Sequence, residues 1–200
     1  MKTLYRIKKA IKALHGGEII AFPTETVYGI GVYGESGYAI NKLYQLKGRG
    51  KEKATQLLIG DISWLKRYTQ NIPHAIMPLL LQYWPGPLTV ILPASLDVPK
   101  ILLGEGDTIG IRIPAHPVAL EILRQFGKAI AASSANPSGL PPARNIEEIK
   151  QYFSYNVLIV DGKPSPSGIS STIIDAAMFP PKIIREGAIS KEDITKLLLV

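Results

Sequence analysis

The chain has no cysteine in its 200 residues. Disulfides, thiolate metal sites and cysteine nucleophiles are therefore excluded, and every site has to be built from oxygen and nitrogen groups. Histidine is scarce: only His15, His74 and His116 occur. His15 falls at a helix end, His74 follows Pro73, and His116 stands in Pro114-Ala115-His116-Pro117, so each reads as a surface or capping residue. With no G-x-S-x-G elbow and no histidine–carboxylate metal spacing, a serine-hydrolase triad and a zinc centre have no support. G-x-x-x-x-G-K-S/T is missing too, and Gly29-x-Gly31-x-x-Gly34 opens no βαβ unit with an acidic residue at the ribose position, which sets aside P-loop and dinucleotide-binding designs. No run reaches the roughly eighteen consecutive apolar residues of a membrane span. The start, Met1 to Leu14, alternates basic and apolar residues and lacks the apolar segment of a secretory signal. The expected compartment is the cytoplasm.

What is present is enough apolar sequence, 46% of residues, for one substantial core, so residues 1–200 are expected to form a single domain. The balance of 23 Lys+Arg against 16 Asp+Glu gives +7, which favours phosphorylated or polyanionic partners, although the excess is dispersed and forms no basic tail. Leu4, Ile7, Ile11 and Leu14 lie three and four apart and predict a helix stopped by Gly16-Gly17. Glu18 to Phe22 predicts a buried strand. Ser36 is placed to cap a helix whose face Ile40, Leu43 and Tyr44 continues to Lys47. Further strands are expected at Gln56 to Ile59, Leu88 to Leu92, Thr108 to Ile113, Ala129 to Ser133, Val157 to Val160, Thr172 to Ile174 and Lys182 to Ile184. Helices are expected at Ile62 to Tyr68, Ala75 to Tyr83, Pro117 to Phe126, Ile146 to Tyr152 and Glu192 to Leu199. Strands and helices mix without strict alternation, which predicts an α/β (α+β mixed) fold with a twisted mixed parallel/antiparallel sheet flanked by helices. Lys163 to Ser171 reads as a loop over a site.

Four polar islands stand beside strand-like runs: Pro23 to Gly29, Lys47-Gly48-Arg49, Ser133 to Asn136, and Ser170-Ser171-Thr172. Hydroxyls and cations gathered where strands stop are how such folds build a pocket for an anionic ligand. Lys47 and Arg49 supply two cationic donors at a helix end, the position that also complements a helix dipole. With no plausible protein nucleophile, the chemistry left is one run by positioning and charge neutralisation, as phosphoryl or nucleotidyl transfer is. A non-catalytic module gripping tRNA or double-stranded RNA is the alternative reading, and its mark would be a steep salt dependence.

Pro23-Thr24-Glu25-Thr26-Val27-Tyr28-Gly29, Lys47-x-Arg49, Trp84-Pro85-Gly86-Pro87-Leu88-Thr89, Ile111-Arg112-Ile113-Pro114-x-His116-Pro117, Ser134-Ala135-Asn136-x-Ser138-Gly139, Ser171-Thr172-Ile173-Ile174-Asp175 and Arg185-x-Gly187 resemble, in order, the motifs of the YrdC family. The resemblance implies that family's mixed sheet around a basic cavity, in the single-domain form without an additional C-terminal domain. It implies L-threonylcarbamoyladenylate synthase activity: L-threonine, bicarbonate and ATP giving threonylcarbamoyl-AMP and pyrophosphate, with Mg²⁺ held mainly by the nucleotide, for later transfer to tRNA by downstream threonylcarbamoyl-transferase proteins. A related carbamoyl-adenylate chemistry with another substrate stays open beside it. Carried over by resemblance, Lys47 and Arg49 are the expected catalytic cations. ATP is expected at Lys47, Arg49, Lys51, Thr108, Ser134, Asn136 and Arg185, and L-threonine at Thr24, Arg112, Ala132 and Ser171. Two positions depart from the family pattern: Gly50 stands where proline usually follows Lys-x-Arg, and Ser170 stands where glutamate commonly precedes the Ser-Thr pair.

Overall fold

A computed structural model describes residues 2–154, 156–162 and 167–198. Residues 163–166 of the loop expected at Lys163 to Ser171, and Leu199 of the last expected helix, lie outside the described residues. In chain order the helices are α1 (Lys2–His15), α2 (Gly37–Lys47), α3 (Leu65–Tyr68), α4 (Met77–Tyr83), α5 (Pro117–Phe126), α6 (Ile146–Phe153) and α7 (Lys191–Leu198). The strands are β1 (Ile20–Phe22), β2 (Gly29–Tyr33), β3 (Gln56–Leu58), β4 (Leu88–Pro93), β5 (Thr108–Arg112), β6 (Ile130–Ser134), β7 (Leu158–Ile159), β8 (Thr172–Asp175) and β9 (Lys182–Arg185).

Local chemistry sets the helix bounds. Ser36 caps α2 by accepting from the Ala39 N–H at 3.2 Å, and Gly48 ends it in the left-handed region at φ 59°. His116 caps α5 through Nδ1, which accepts from the Val118 N–H at 3.2 Å, and Gly127 closes that helix at φ 68°. α1 buries Ile7, Ala10 and Leu14, whereas Leu4, expected on the same face, is exposed.

The sheet is mixed, with strand order β7-β1-β2-β6-β3-β5-β4-β8-β9. β1–β7, β3–β5 and β4–β8 run parallel and the remaining pairs antiparallel. β2 has no counterpart in the strands expected from the sequence. Its Gly-Ile-Gly-Val-Tyr run looks like a loop, yet a Cβ on Gly31 would lie 2.6 Å from Ile130 Cγ2 and 3.0 Å from the Ala131 carbonyl. Glycine here is a requirement of close strand packing, not of turn geometry.

The two faces of this sheet are covered unequally. One carries Ala21, Ile30, Val32, Leu57, Val90, Ile109, Ile111, Ala131 and Ile174, packed in one cluster with buried residues of α2, α3, α4, α6 and α7. The other carries Ile20, Phe22, Leu58, Ile130 and Ala132, packed against α1 and α5. That second cluster includes no residue of β4, β8 or β9. The part of the face formed by β6, β3, β5, β4, β8 and β9 therefore has an uncovered region, and it is there that the polar islands converge.

Candidate functional site

Side chains alternate along a strand, so residues paired in register share a face. Ser134 and Ala132 of β6, Gln56 of β3, Gly110 and Arg112 of β5, Thr89 and Ile91 of β4, Ile173 of β8 and Arg185 of β9 all point to the uncovered region. With Thr26, Val27, Arg49, Ala54, Thr55, Ser133, Ser170 and Ser171 they line an open cavity of about 310 Å³. Its lining holds three arginines and no carboxylate, so the ligand it suits is an anion.

Arg112 ends β5 and is buried, 4% exposed. Its Nε donates to the Gly86 carbonyl at 3.0 Å, and its Nη2 donates to Glu25 Oε1 at 2.6 Å and to Thr26 Oγ1 at 3.0 Å. Thr24, also buried, builds the turn that brings those partners in. Its hydroxyl donates to the Val27 carbonyl at 2.5 Å, receives the Thr26 and Val27 N–H groups, and lies 2.9 Å from Thr26 Oγ1. The proline-to-glycine island thus folds as a hydroxyl-locked turn that clamps Arg112.

Lys47 is the last residue of α2 and is 3% exposed. Its ammonium donates to the carbonyls of Ser134 and Asn136, both at 2.5 Å, tying the helix end to the exit of β6. Burial, with repulsion from Arg49 added, brings its pKa down from 10.5 to about 7. Arg49 turns back on its own loop, its Nη2 donating to the Ala54 carbonyl at 2.6 Å. Asn136 donates from Nδ2 to the carbonyls of Pro137 and Leu140, while its buried Oδ1 has no partner among the described residues.

Arg185 donates from Nε and Nη2 to the Ser171 carbonyl at 3.1 and 2.8 Å, and from Nη2 to Ser171 Oγ at 3.2 Å. Burial, then the charge of Arg112, lowers its pKa. Burial is the larger cause; the smaller, the repulsion from Arg112, is one that a bound anion would relieve.

Of the residues singled out from sequence, Arg49, Arg112, Ala132, Ser134, Ser171 and Arg185 line the cavity. Lys47 and Asn136 lie one layer behind Ser134, and Thr24 lies one residue pair behind Thr26. Thr108 opens β5 at the far end from Arg112, and Lys51 is exposed on a turn; neither is part of the lining. Sequence reasoning gave no site role to Glu25, Gln56 or Thr89, although Glu25 and Thr89 stand inside quoted motifs. A signal existed for each: Glu25 sits inside the first island, and Gln56 and Thr89 are polar residues within short strands otherwise made of apolar side chains.

Among the described residues no group of three or more His, Asp or Glu side chains is gathered in one place, and the cavity lining offers hydroxyls, amides and guanidinium groups.

The Sua5/YciO/YrdC family profile, described as "Telomere recombination", matches residues 12–187. The chain is 34% identical over 195 residues to a threonylcarbamoyl-AMP synthase of Pyrococcus abyssi, covering 97% of this chain and 57% of that protein. It is 38% identical over 196 residues to a Bacillus subtilis protein of the same name, covering 96% and 56%. It thus spans little more than half the length of these curated relatives. Among solved structures, that of P. abyssi Sua5 complexed with L-threonine superposes with a TM-score of 0.92 at 35% identity, over 96% of this chain and 56% of that one.

Proposed function

The chain belongs to the Sua5/YciO/YrdC family, and from that premise we propose that it is an L-threonylcarbamoyladenylate synthase, forming threonylcarbamoyl-AMP and pyrophosphate from L-threonine, bicarbonate and ATP. The observation that carries the reading is a cavity on an open sheet face whose lining holds Arg49, Arg112 and Arg185 and no carboxylate. Relatives named threonylcarbamoyl-AMP synthase and a related structure holding L-threonine support it. The product is proposed to supply the threonylcarbamoyl group for a tRNA adenosine, through downstream transferase proteins.

In this reading the threonine amine and bicarbonate lose water to give an N-carboxylate. One of its oxygens attacks the α-phosphorus of ATP, forming the new O–P bond as the bond to pyrophosphate breaks. Arg112 grips the amino-acid carboxylate, because a guanidinium presents a planar fork of donors to two oxygens. Thr26 fixes that fork, and Thr24 fixes Thr26. Ser171 and the Ala132 backbone complete the amino-acid side. Arg49 and Arg185 neutralise phosphate oxygens, and Lys47 holds Ser134 and Asn136 in place for the nucleotide. Mg²⁺, when bound with the nucleotide, supplies further charge neutralisation. Holding three reactants in attack geometry contributes on the order of 7–11 kcal/mol of barrier reduction, which suits a site with no nucleophile of its own.

The test is direct. Purified protein is incubated with ATP, Mg²⁺, L-threonine and bicarbonate, and threonylcarbamoyl-AMP is sought by mass spectrometry while each reactant is omitted in turn. Product that needs all three organic and inorganic substrates bears the reading out; product made without threonine, or none from protein that binds ATP, ends it.

A further inference from the structure

Across the cavity floor runs a hydrogen-bonded chain whose direction is fixed by donor count. Arg185, which can only donate, gives Nη2–H to Ser171 Oγ at 3.2 Å. Thr89 Oγ1 donates its single proton to Gln56 Oε1 at 2.9 Å. The 2.9 Å contact between Ser171 Oγ and Thr89 Oγ1 must then have Ser171 as donor. The order is Arg185 to Ser171 to Thr89 to Gln56, and it ends with the Gln56 carbonyl occupied. Among the described residues no hydrogen bond is made by Gln56 Nε2.

Gln56 stands on β3, between β6 with Ser134 on one side and β5 with Arg112 on the other. Its neighbour on β5 is Gly110, where an added Cβ would lie 3.4 Å from Gln56 Cβ and 3.4 Å from Thr89 Cγ2. With no side chain at Gly110, the Gln56 carboxamide is free to reach across β5 to Thr89 on the cavity floor. We propose that Gln56 is a ligand-binding residue whose Nε2 donates to the planar one-carbon oxyanion of the reaction, in the cavity that Gln56 lines. The inference rests on the synthase reading, in which this oxyanion lies between the amino acid held by Arg112 and the phosphate near Arg49 and Ser134. Its source is bicarbonate before condensation or the N-carboxylate after it; both present two oxygens on one carbon.

Two variants of the whole chain test this, Gln56→Met and Gln56→Glu, with product formation followed as bicarbonate is varied in buffer stripped of CO₂. Losing one charge-assisted hydrogen bond raises the bicarbonate KM roughly tenfold if bicarbonate is the form bound, or lowers kcat by a similar factor with that KM unchanged if the N-carboxylate is. Gln56→Glu is the more impaired of the two, because its second oxygen brings negative charge against the oxyanion. A purely structural role predicts the reverse, since glutamate still accepts from Thr89 and methionine does not; a Glu variant matching the parent while Met fails overturns the inference. A shift confined to the KM for ATP overturns it as well. Line-broadening of ¹³C-bicarbonate by the protein separates this from the synthase reading. If the parent makes no product, that reading falls, yet broadening lost on Gln56→Glu upholds the site, and broadening that survives the substitution removes it.

Discussion

Arg112 meets the carboxylate of Glu25, which is not part of the cavity lining, at 2.6 Å, so its guanidinium is already paired with an acid before any ligand arrives. The side chains are 5% and 18% exposed, which makes the pair largely buried. Glu25 Oε2 finds no hydrogen-bond partner among the described residues, leaving half of that carboxylate dependent on Arg112 alone.

Removing one member of such a pair strands the other. Arg112→Met leaves Glu25 uncompensated and should lower stability by about 3 kcal/mol. Glu25→Gln keeps an acceptor for Nη2 and should cost about 1 kcal/mol. Urea midpoints measure both. On the proposed function the two also part company in binding: stabilisation of the fold by L-threonine disappears in Arg112→Met and grows in Glu25→Gln, where no carboxylate competes for the fork. Equal responses to threonine in both variants would remove Arg112 from the amino-acid side.

Lys47 gives a pH-dependent prediction. Its pKa is lowered from 10.5 to about 7, so between those values the unfolded chain holds a proton that the empty folded site releases. The group therefore adds stability as pH rises across that window. Nucleotide phosphates oppose the shift, so near pH 8, roughly a unit above the empty-site pKa, ATP binding should take up a fraction of a proton. Titration calorimetry in buffers of different ionisation enthalpy reads that uptake directly, and Lys47→Met should abolish it. The same variant removes two 2.5 Å bonds to the Ser134–Asn136 segment, so some loss of stability accompanies it.

Gly187 is fixed by space. A Cβ there would sit 2.2 Å from the Ser170 carbonyl oxygen and 2.6 Å from Ser171 C and O. Gly187→Ala must push the Ser170–Ser171 segment aside and with it the anchor of Arg185. We expect a loss of about 2 kcal/mol in stability and weaker stabilisation by ATP, read from thermal melts with and without nucleotide.

Much of this architecture was legible in the residues. α5 was bounded at Pro117 and Phe126 because proline opens a helix and glycine closes one, and the Ser36 cap of α2 carried its own signature. β2 was not legible, because a sequence rule reads Gly29, Gly31 and Gly34 as a loop while only the partner strand reveals why they lack side chains. The site divides the same way. Arg112 and Arg185 were reached only through the family resemblance, whereas Lys47, Arg49 and Ser171 announced themselves as polar residues in islands. Gln56 and Thr89 did not, since a single polar residue on a short strand gains meaning only when its neighbour on the next strand is known.

The glycines of β2 make that failure testable. Gly31→Ala places a methyl 2.6 Å from Ile130 Cγ2 and should destabilise by about 1–3 kcal/mol. Chemical denaturation decides it, and a neutral outcome would mean that β2 and β6 separate more easily than their packing indicates.

Because the cavity floor is a sheet face, the fold and the chemistry are written on alternate letters of the same strands. Val90, Ile109, Ile111 and Ile174 face the covered side, while Thr89, Gly110, Ile173 and Arg185 face the ligand. A substitution at one of the latter positions changes what the floor can read without passing through the packed side. Such an arrangement lets ligand preference drift over evolutionary time at little structural risk, and it points a protein engineer to positions 56, 89, 91, 110 and 173 as the places to begin redesign.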